Sequence, residues 1–284
     1  MAARLLDAGF SVTVWNRTAD RVEPLRQRGA SVASAPREAA AGADVLIGMV
    51  ADDTASRAVW TEDDGALSGT RRDALIVECS TLSPEWVQQL AQIARERGCA
   101  FIDSPVTGSK VQAASGDVVF LVGGDPDAVE RARPVLRPMS RDIVHLGPVG
   151  SGARMKLINN FVGAVQTVAL AQAVAFSGAC GLDLAAAMAV LMNGAPGSPL
   201  VKTVGARMMS RDYSVNFMMK LMRKDIGYAI AEARRCGVTL TTAIPAAEAF
   251  DAAIAEGHGA EDFAAVAESI PGRARPAAKT ARIP

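Results

Sequence analysis

The sequence of 284 residues has no net charge and is poor in histidine and aromatic residues. Its 30 basic and 30 acidic residues cancel, which argues against a broad charged surface for nucleic acid or an anionic membrane. Aromatic residues make up 5% of the chain, so few side chains can stack on single-stranded bases. With only His145 and His258 present, we predict neither a histidine-rich metal site nor a Ser-His-Asp triad, although one histidine could serve in either.

The four cysteines form no C-x-x-C pair, and each lies in an apolar or helix-end context: Cys79, Cys99, Cys180 and Cys236. We interpret them as reduced core thiols of a cytoplasmic protein. The first residues lack the long apolar segment and cleavage site of a signal peptide. Half of the residues are apolar, which is enough for a sizeable core in one large domain or two ordinary ones.

Strand and helix patterns alternate over the first half of the chain. Strand patterns cover residues 10–15, 44–50, 74–79, 99–103, 117–122 and 142–146. Helical patterns cover residues 1–8, 18–27 and 83–98, and another begins at Pro126. This alternation predicts an α/β fold with a doubly wound, mostly parallel sheet of the Rossmann type.

The strand patterns stop at Gly147-Pro-Val-Gly150, which predicts a domain boundary there. Helical patterns follow near residues 150–180, 183–192, 197–209, 217–236, 243–256 and 261–269. We therefore predict an α/β domain over residues 1–149 and an all-helical domain over residues 150–270. The polar, basic and proline-rich tail, residues 271–284, is predicted to be disordered.

Residues 157–182 contain no charged residue and are numerous enough to cross a bilayer. They carry several polar residues, however, and no basic cluster flanks them: Asn159, Asn160, Gln166, Thr167, Gln172 and Ser177. We therefore favour a core or subunit-interface helix over a membrane span. At 1.5 Å per residue this helix would be about 40 Å long, more than a small domain covers alone, so we predict a homodimer or higher homo-oligomer.

Lys156 is the last charged residue before this run, and Asn160 follows one helical turn later on the same face. A lysine held against a cleft has its pKa lowered by desolvation, toward the range that suits proton transfer. The alternative is a lysine that extends from the mouth of a buried helix to solvent. The spacing alone does not decide between the two.

A second candidate site is the end of the strand 10–15, at Trp15-Asn16-Arg17-Thr18. In a dinucleotide-binding domain this position contacts the adenosine ribose, where an acid binds the 2′-hydroxyl of NAD. Here Arg17 offers a guanidinium that suits the 2′-phosphate of NADP. The alternative is a solvated arginine in a strand–helix turn.

Three segments, in order, resemble motifs of the β-hydroxyacid dehydrogenase family, which includes 3-hydroxyisobutyrate dehydrogenases, tartronate semialdehyde reductases and glyoxylate/succinic semialdehyde reductases. Asp103-Ser-Pro-Val-Thr-Gly-Ser109 resembles the substrate loop D-A-P-V-S-G-G. Gly150-Ser-Gly-Ala-Arg-Met-Lys-Leu-Ile-Asn-Asn160 resembles the catalytic motif G-x-G-x-x-x-K-x-x-x-N. Phe217-Met-Met-Lys-Leu-Met-Arg-Lys-Asp225 resembles F-x-x-x-L-x-x-K-D. The resemblance extends from residue 1 to about residue 270.

The resemblance implies an NADP-preferring oxidoreductase that interconverts a small 3-hydroxy acid and its semialdehyde or keto form. Lys156 would be the general acid/base, which protonates the carbonyl oxygen during reduction. Asn160, Thr107, Gly108 and Ser109 would bind the substrate. The implied cofactor-binding residues are Asn16, Arg17, Thr18, Val50, Thr81, Phe217, Lys224 and Asp225, with Asp225 also orienting Lys156 or nearby backbone.

The sequence departs from the family pattern in the substrate loop, where Thr107 replaces a serine and Ser109 replaces a glycine. Gln172 stands where many relatives carry glutamate. These changes bear on the substrate more than on the reaction. The alternative functions are an imine or ketone reductase on the same scaffold, although imine reductases usually lack the lysine, and a non-catalytic relative.

The first ten residues resemble the segment that follows the family's G-x-G-x-x-G turn, and the strand and turn that should come before it are not in the sequence. In the usual strand order 3-2-1-4-5-6 that strand is central. The expectation is therefore that coding sequence lies upstream of Met1 or that the chain is an impaired relative.

Overall fold

The computed structural model describes residues 1–272, so residues 273–284 of the predicted tail lie outside the described residues. The chain divides into two compact units, of which the first is Met1–Ile158 and the second begins at Asn159. This division falls inside the long helix Ser151–Ala179, downstream of Gly147-Pro-Val-Gly150 where the strand patterns stop.

The first unit contains two sheets built from the strands β1 (Thr13–Val14), β2 (Ser31–Val32), β3 (Val45–Gly48), β4 (Leu75–Glu78), β5 (Ala100–Asp103), β6 (Val106–Thr107), β7 (Val118–Gly124) and β8 (Ser140–Gly147). In the larger sheet β3, β4 and β5 are parallel, and β7 runs antiparallel to both β5 and β6. β8 pairs with β7 in parallel, so the predicted mostly parallel α/β sheet is confirmed. β4 is buried along its whole length, which explains its unbroken apolar run.

The two-stranded sheet of β1 and β2 and the six-stranded sheet that begins with β3 do not pair within the described residues. β1 pairs with β2, and β3 pairs with β4. In the order 3-2-1-4-5-6, β1 of this chain would correspond to strand 2, β2 to strand 3 and β3 to strand 4. Strand 1, which lies between strands 2 and 4, has no counterpart among the described strands. The interruption therefore falls where the family resemblance expects a central strand.

The helices of the first unit are α1 (Ala2–Asp7), α2 (Glu23–Arg26), α3 (Pro36–Ala40), α4 (Asp53–Thr61), α5 (Ala66–Gly69), α6 (Pro84–Glu96), α7 (Lys110–Ser115) and α8 (Pro126–Leu136). α6 begins as predicted, because the hydroxyl of Ser83 accepts a hydrogen bond from the N–H of Trp86 and Pro84 fills the first turn. Its buried face, which includes Leu90 and Ala94, recurs at helical spacing and packs on the sheet.

Some of the sequence predictions were wrong in detail. The predicted helix 18–27 is a 3₁₀ turn, Ala19–Arg21, followed by the four-residue α2, since Pro24 has no N–H and can stand only in the first turn of a new helix. The cysteines are not all core thiols: Cys79 and Cys99 are buried, whereas Cys180 and Cys236, beside glycines at helix ends, are exposed.

The second unit is helical, as predicted, and contains most of α9 (Ser151–Ala179), with α10 (Leu184–Asn193), α11 (Pro199–Ser210), α12 (Met219–Arg235) and α13 (Ala243–Ala255). Its core joins Ala164, Val168 and Ala171 of α9 to Ile226 and Phe250. By length and composition alone, α9 would pass for a membrane span, and 39% of its most apolar stretch is buried. The predicted last helix is a 3₁₀ segment, Phe263–Ser269.

Candidate active site

The carboxyl ends of β3 and β4 carry two of the predicted cofactor contacts, Val50 and Thr81, and both residues are half-buried. The N–H of Val50 donates a hydrogen bond of 2.7 Å to the hydroxyl of Ser80, so the structure brings the two loops together. In parallel sheets, ligands bind outside the carboxyl ends of the strands. The location of both residues therefore suits a nucleotide site.

The segment after β1 forms one wall of an open cleft of about 510 Å³. Its lining residues come from the ends of β1 and β2 and the turn between β1 and α2: Trp15, Asn16, Arg17, Ala19, Val22, Val32, Ala33 and Ser34. Asn16 accepts a hydrogen bond of 2.9 Å from the N–H of Thr18, which closes the turn and leaves Arg17 exposed. Sequence reasoning missed the β2 side of this cleft, because no motif marks residues 32–34.

The predicted substrate loop contains a short strand, a glycine turn and the cap of a helix. Thr107 lies in the short strand β6, which pairs with β7. Gly108 has φ +128°, and a Cβ there would lie 3.2 Å from both Gln112 and Val118, so this turn requires glycine. The hydroxyl of Ser109 accepts a hydrogen bond from the N–H of Val111 and forms a capping box with Gln112. Ser109 therefore serves as the N-cap of α7.

Lys156 is half-buried in the second turn of α9, and the start of this helix is held by Asp103 at the end of β5. One carboxylate oxygen of Asp103 accepts from the N–H of Gly150 and the other from the N–H of Ala153, each at 2.7 Å. The approach requires glycine at 152, where a Cβ would lie 2.1 Å from the carbonyl oxygen of Leu121. Asp103 thus fixes the helix end that carries Lys156.

Burial raises the pKa of Asp103 from 3.8 to about 6, although the N–H groups of Gly150 and Ala153 oppose this rise. Desolvation is the larger effect because the side chain is 1% exposed. Sequence reasoning missed this residue as a functional candidate and treated it only as the first residue of the substrate loop. An acid at a strand end, followed far along the chain by a glycine-rich helix start, was the available signal.

In the second unit Asp225 is buried and joins two of the predicted site residues. It accepts a hydrogen bond of 2.6 Å from the amide of Asn160, and its other oxygen lies 3.0 Å from Nζ of Lys224. Nζ of Lys224 also lies 4.9 Å from the ring centre of Tyr228. These contacts orient Asn160 and Lys224, and the role in orienting Lys156 or nearby backbone that the resemblance implies for Asp225 stays a prediction.

Phe217 is fixed by a residue that sequence reasoning also missed. Its N–H donates a hydrogen bond of 3.0 Å to Asp262, which is fully buried and lies 3.4 Å from the guanidinium of Arg207. The ring of Phe217 packs edge-on against that of Phe263, with ring centres 5.8 Å apart. The segment before α12 is therefore rigidly anchored in the second unit.

This combination of an α/β unit that carries a nucleotide-binding edge and a helical unit defines a class of nicotinamide-dependent oxidoreductases. Residues 1–147 match the family model described as the NAD binding domain of 6-phosphogluconate dehydrogenase. Residues 150–270 match the model described as the NAD-binding domain of NADP-dependent 3-hydroxyisobutyrate dehydrogenase. The second match includes α9, which is therefore a helix of that domain.

Individual relatives match over nearly the whole chain. The chain is 35% identical to the NAD-dependent L-serine dehydrogenase of Pseudomonas aeruginosa, over 94% of this chain and 92% of that protein. It is 33% identical to glyoxylate/succinic semialdehyde reductase 2 of Arabidopsis thaliana, over 95% and 75%. It is similar in structure to the 3-hydroxyisobutyrate dehydrogenase of Mycobacterium tuberculosis solved with L-serine, with a TM-score of 0.85, 30% identity and coverage of 94% and 93%.

The chain therefore belongs to the β-hydroxyacid dehydrogenase family and is an NAD(P)-dependent hydroxyacid dehydrogenase or reductase. The resemblance read from the three sequence motifs is confirmed at the level of family, fold and enzyme class.

Proposed function

We propose that this protein is an NADP-preferring oxidoreductase that interconverts a small 3-hydroxy acid and its semialdehyde or keto form, with Lys156 as general acid/base. The observation that carries the proposal is the pair of hydrogen bonds from Gly150 and Ala153 to Asp103. They fix the helix bearing Lys156 at the carboxyl end of β5, in the sheet whose strands β3 and β4 are followed by Val50 and Thr81.

The bound nicotinamide nucleotide supplies or accepts the hydride. Lys156 supplies the proton: its ammonium donates to the carbonyl oxygen during reduction and, as an amine, accepts the hydroxyl proton during oxidation. The positive charge also stabilises the alkoxide as it develops. Thr107, with a hydroxyl, and Gly108 and Ser109, with backbone N–H groups, are proposed to bind the substrate's carboxylate. Asn160, oriented by Asp225, is proposed to hold its carboxylate or hydroxyl.

Two parts of the first unit fit a nicotinamide nucleotide. The cleft beside Trp15 has apolar walls from Val22 and Val32 that suit an adenine ring, and Arg17 lies at its rim. Val50 and Thr81 lie at the strand ends where the nicotinamide half is proposed to bind. The preference for NADP rests on Arg17, because a guanidinium pairs with a phosphate and no acid occupies the positions 16–18. In the second unit, Phe217 and Lys224 are proposed as further cofactor contacts.

A second copy of the chain is the proposed partner. α9 carries no charged residue after Lys156, and Phe176 on it is 71% exposed, while Val190 on α10 is 70% exposed. Covering such side chains removes apolar surface from water, which favours association. A cytoplasmic location is also proposed, since the four cysteines are free thiols.

The test is a panel that contains the 3-hydroxy acids L-serine and 3-hydroxyisobutyrate and, as aldehyde acids of other chain lengths, succinic semialdehyde and glyoxylate. Turnover is followed by absorbance with NADPH and NADH or their oxidised forms. Cyclic imines and plain ketones in the same panel test the alternative reductase. Turnover of imines or ketones alone would contradict the proposed substrate class, and no turnover together with no nucleotide binding would favour a non-catalytic relative.

Lys156→Ala tests the assigned proton donor with the best substrate of that panel. We expect turnover to fall about a hundredfold or more, because a positioned proton donor contributes about that factor to the rate. The Kd for NADPH should stay within a few-fold of the wild-type value. Lys202→Ala, at an exposed position on α11, is the matched control and should keep full activity. Near-full turnover in Lys156→Ala would overturn the assignment.

A further inference from the structure

The loops that follow β3 and β4 are tied to each other at two points. The first is the 2.7 Å hydrogen bond from the N–H of Val50 to the hydroxyl of Ser80. At the second, the carboxylate of Asp53 accepts from the N–H and the hydroxyl of Ser83, at 2.9 and 2.5 Å. Thr81 lies between Ser80 and Ser83. Both proposed contacts to the nicotinamide half therefore lie within one cross-linked pair of loops.

Beneath these loops lies Glu78, the last residue of β4, which is 0% exposed. One of its carboxylate oxygens accepts from Nε1 of Trp60 at 2.7 Å and from the hydroxyl of Ser56 at 2.9 Å. The other accepts from the N–H of Ser80 at 2.9 Å. The hydroxyl of Ser56 itself accepts from Nε1 of Trp86, so its own proton is available to Glu78.

A carboxylate is the side chain that this arrangement demands. Three donors converge on the two oxygens of Glu78, and an amide would direct its NH₂ at one of them in either orientation. Burying a charge is costly unless it is fully hydrogen-bonded, so an apolar residue would serve packing at least as well. The carboxylate instead fixes the backbone of Ser80, whose hydroxyl in turn fixes the backbone of Val50.

We propose that Ser80, held by Glu78, is a positioning residue that sets the Val50 and Thr81 segments against the nicotinamide half of the cofactor. This inference rests on the proposed function. Its distinguishing consequence is that the effect is local: loss of the Ser80 hydroxyl disturbs the nicotinamide end of the site and leaves the adenosine cleft beside Trp15 unchanged.

The experiment compares Ser80→Ala with Ser56→Ala. Both variants remove one hydroxyl from the same buried network, but Ser56 lies on α4 and makes no hydrogen bond to Val50 in the described contacts. The Kd values for NADPH and for 2′,5′-ADP, which lacks the nicotinamide half, are measured by nucleotide fluorescence and by calorimetry. NADH and ADP replace them if the wild type prefers NAD.

We expect Ser80→Ala to raise the Kd for NADPH about tenfold, the scale of one lost hydrogen bond, while the Kd for 2′,5′-ADP stays within about twofold. KM for NADPH should rise with Kd, and kcat should change less than KM. Ser56→Ala should lower the melting temperature about as much as Ser80→Ala does, but it should leave the Kd values of both nucleotides within about twofold.

The contrary results are distinct. Unchanged NADPH affinity in Ser80→Ala, equal weakening of both nucleotides, or equal weakening of NADPH in Ser56→Ala would assign the network to stability alone and overturn the inference. A wild-type chain that binds no nicotinamide nucleotide would overturn the proposed function and this inference with it.

Discussion

Replacement of Asp103 by Asn tests whether burial or hydrogen bonding dominates at the carboxylate that fixes α9. Burial raises its pKa from 3.8 to about 6 in the folded protein. Because the unfolded chain loses this proton at lower pH than the folded protein does, the group's contribution to stability is fully present below about pH 4. It is lost as the pH rises to about 6 and beyond. One pKa unit corresponds to about 1.36 kcal/mol, so the full loss is about 3 kcal/mol.

The assay is urea unfolding of the wild type and Asp103→Asn at about pH 4.5 and pH 7.5. The amide, like the protonated carboxyl, carries no charge at either pH. Its NH₂ group cannot accept from an N–H group, but this loss is the same at both pH values, and every other titrating group cancels in the comparison. We expect the stability of the wild type, relative to the variant, to fall by about 2 kcal/mol between these two pH values.

A difference in stability that is constant, or that rises with pH, would refute this reasoning. It would mean that the two N–H groups and the positive end of α9 outweigh desolvation, so that the folded protein holds Asp103 ionised. A helix cap of this kind would then be a stabilising charge, not a costly one.

Two further predictions concern the cofactor and the oligomer. Arg17→Ala should raise the Kd for NADP about tenfold to a hundredfold and barely change the Kd for NAD. Replacement of the exposed Arg21 by Ala is the control. Equal losses of affinity for both nucleotides would show that Arg17 is structural. In light scattering at micromolar concentration the wild type should be a dimer or larger, and Phe176→Asp should be a folded monomer. Val174 is 3% exposed, so Val174→Asp should unfold the protein because it buries a charge. A well-folded wild-type monomer would contradict the proposed oligomer.

The sequence predicted the fold class because hydrophobic periodicity is a local signal. Buried strands such as β4 read as short apolar runs, and the helices between them carry recognisable caps, as at Ser83 and Pro84. Where local signals conflict, the prediction failed: residues 18–27 have a helical pattern, but Pro24 divides it. The predicted strand 10–15 contains only the two residues of β1, which pairs with the equally short β2.

The uncharged run of α9 shows a similar limit. Its composition predicted burial but could not say on which side: Val168 and Val174 lie in the core of the second unit. Phe176, which the run does not distinguish from its neighbours, is the exposed side chain. A periodicity near 3.6 fixes a buried face only when polar residues mark the opposite one.

Two of the residues that sequence reasoning missed are acids whose hydrogen-bond donors lie far away in the chain. Asp103 accepts from Gly150 and Ala153, and Asp262 accepts from the N–H of Phe217. A local pattern covers each acid, the substrate-loop motif for Asp103 and the predicted helix 261–269 for Asp262, but neither pattern reveals the distant donor. The motifs, by contrast, marked Asn160, which Asp225 holds, Phe217, which Asp262 holds, and Lys156, whose helix begins at the N–H groups that Asp103 accepts from.

The direction of hydrogen bonds explains why the carboxyl edge of the sheet carries three wholly or partly buried carboxyl groups. Glu78, Asp103 and the half-buried Asp53 each accept hydrogen bonds from backbone N–H groups at the carboxyl end of the parallel strands or at the helix start beside it. An apolar core packs strands and helices but leaves loop backbones free to shift, since dispersion contacts have no direction. Hydrogen bonds to a carboxylate do have direction. The cost of burying these charges is therefore consistent with a need to hold the loops that carry Val50, Thr81 and the helix of Lys156 in one arrangement.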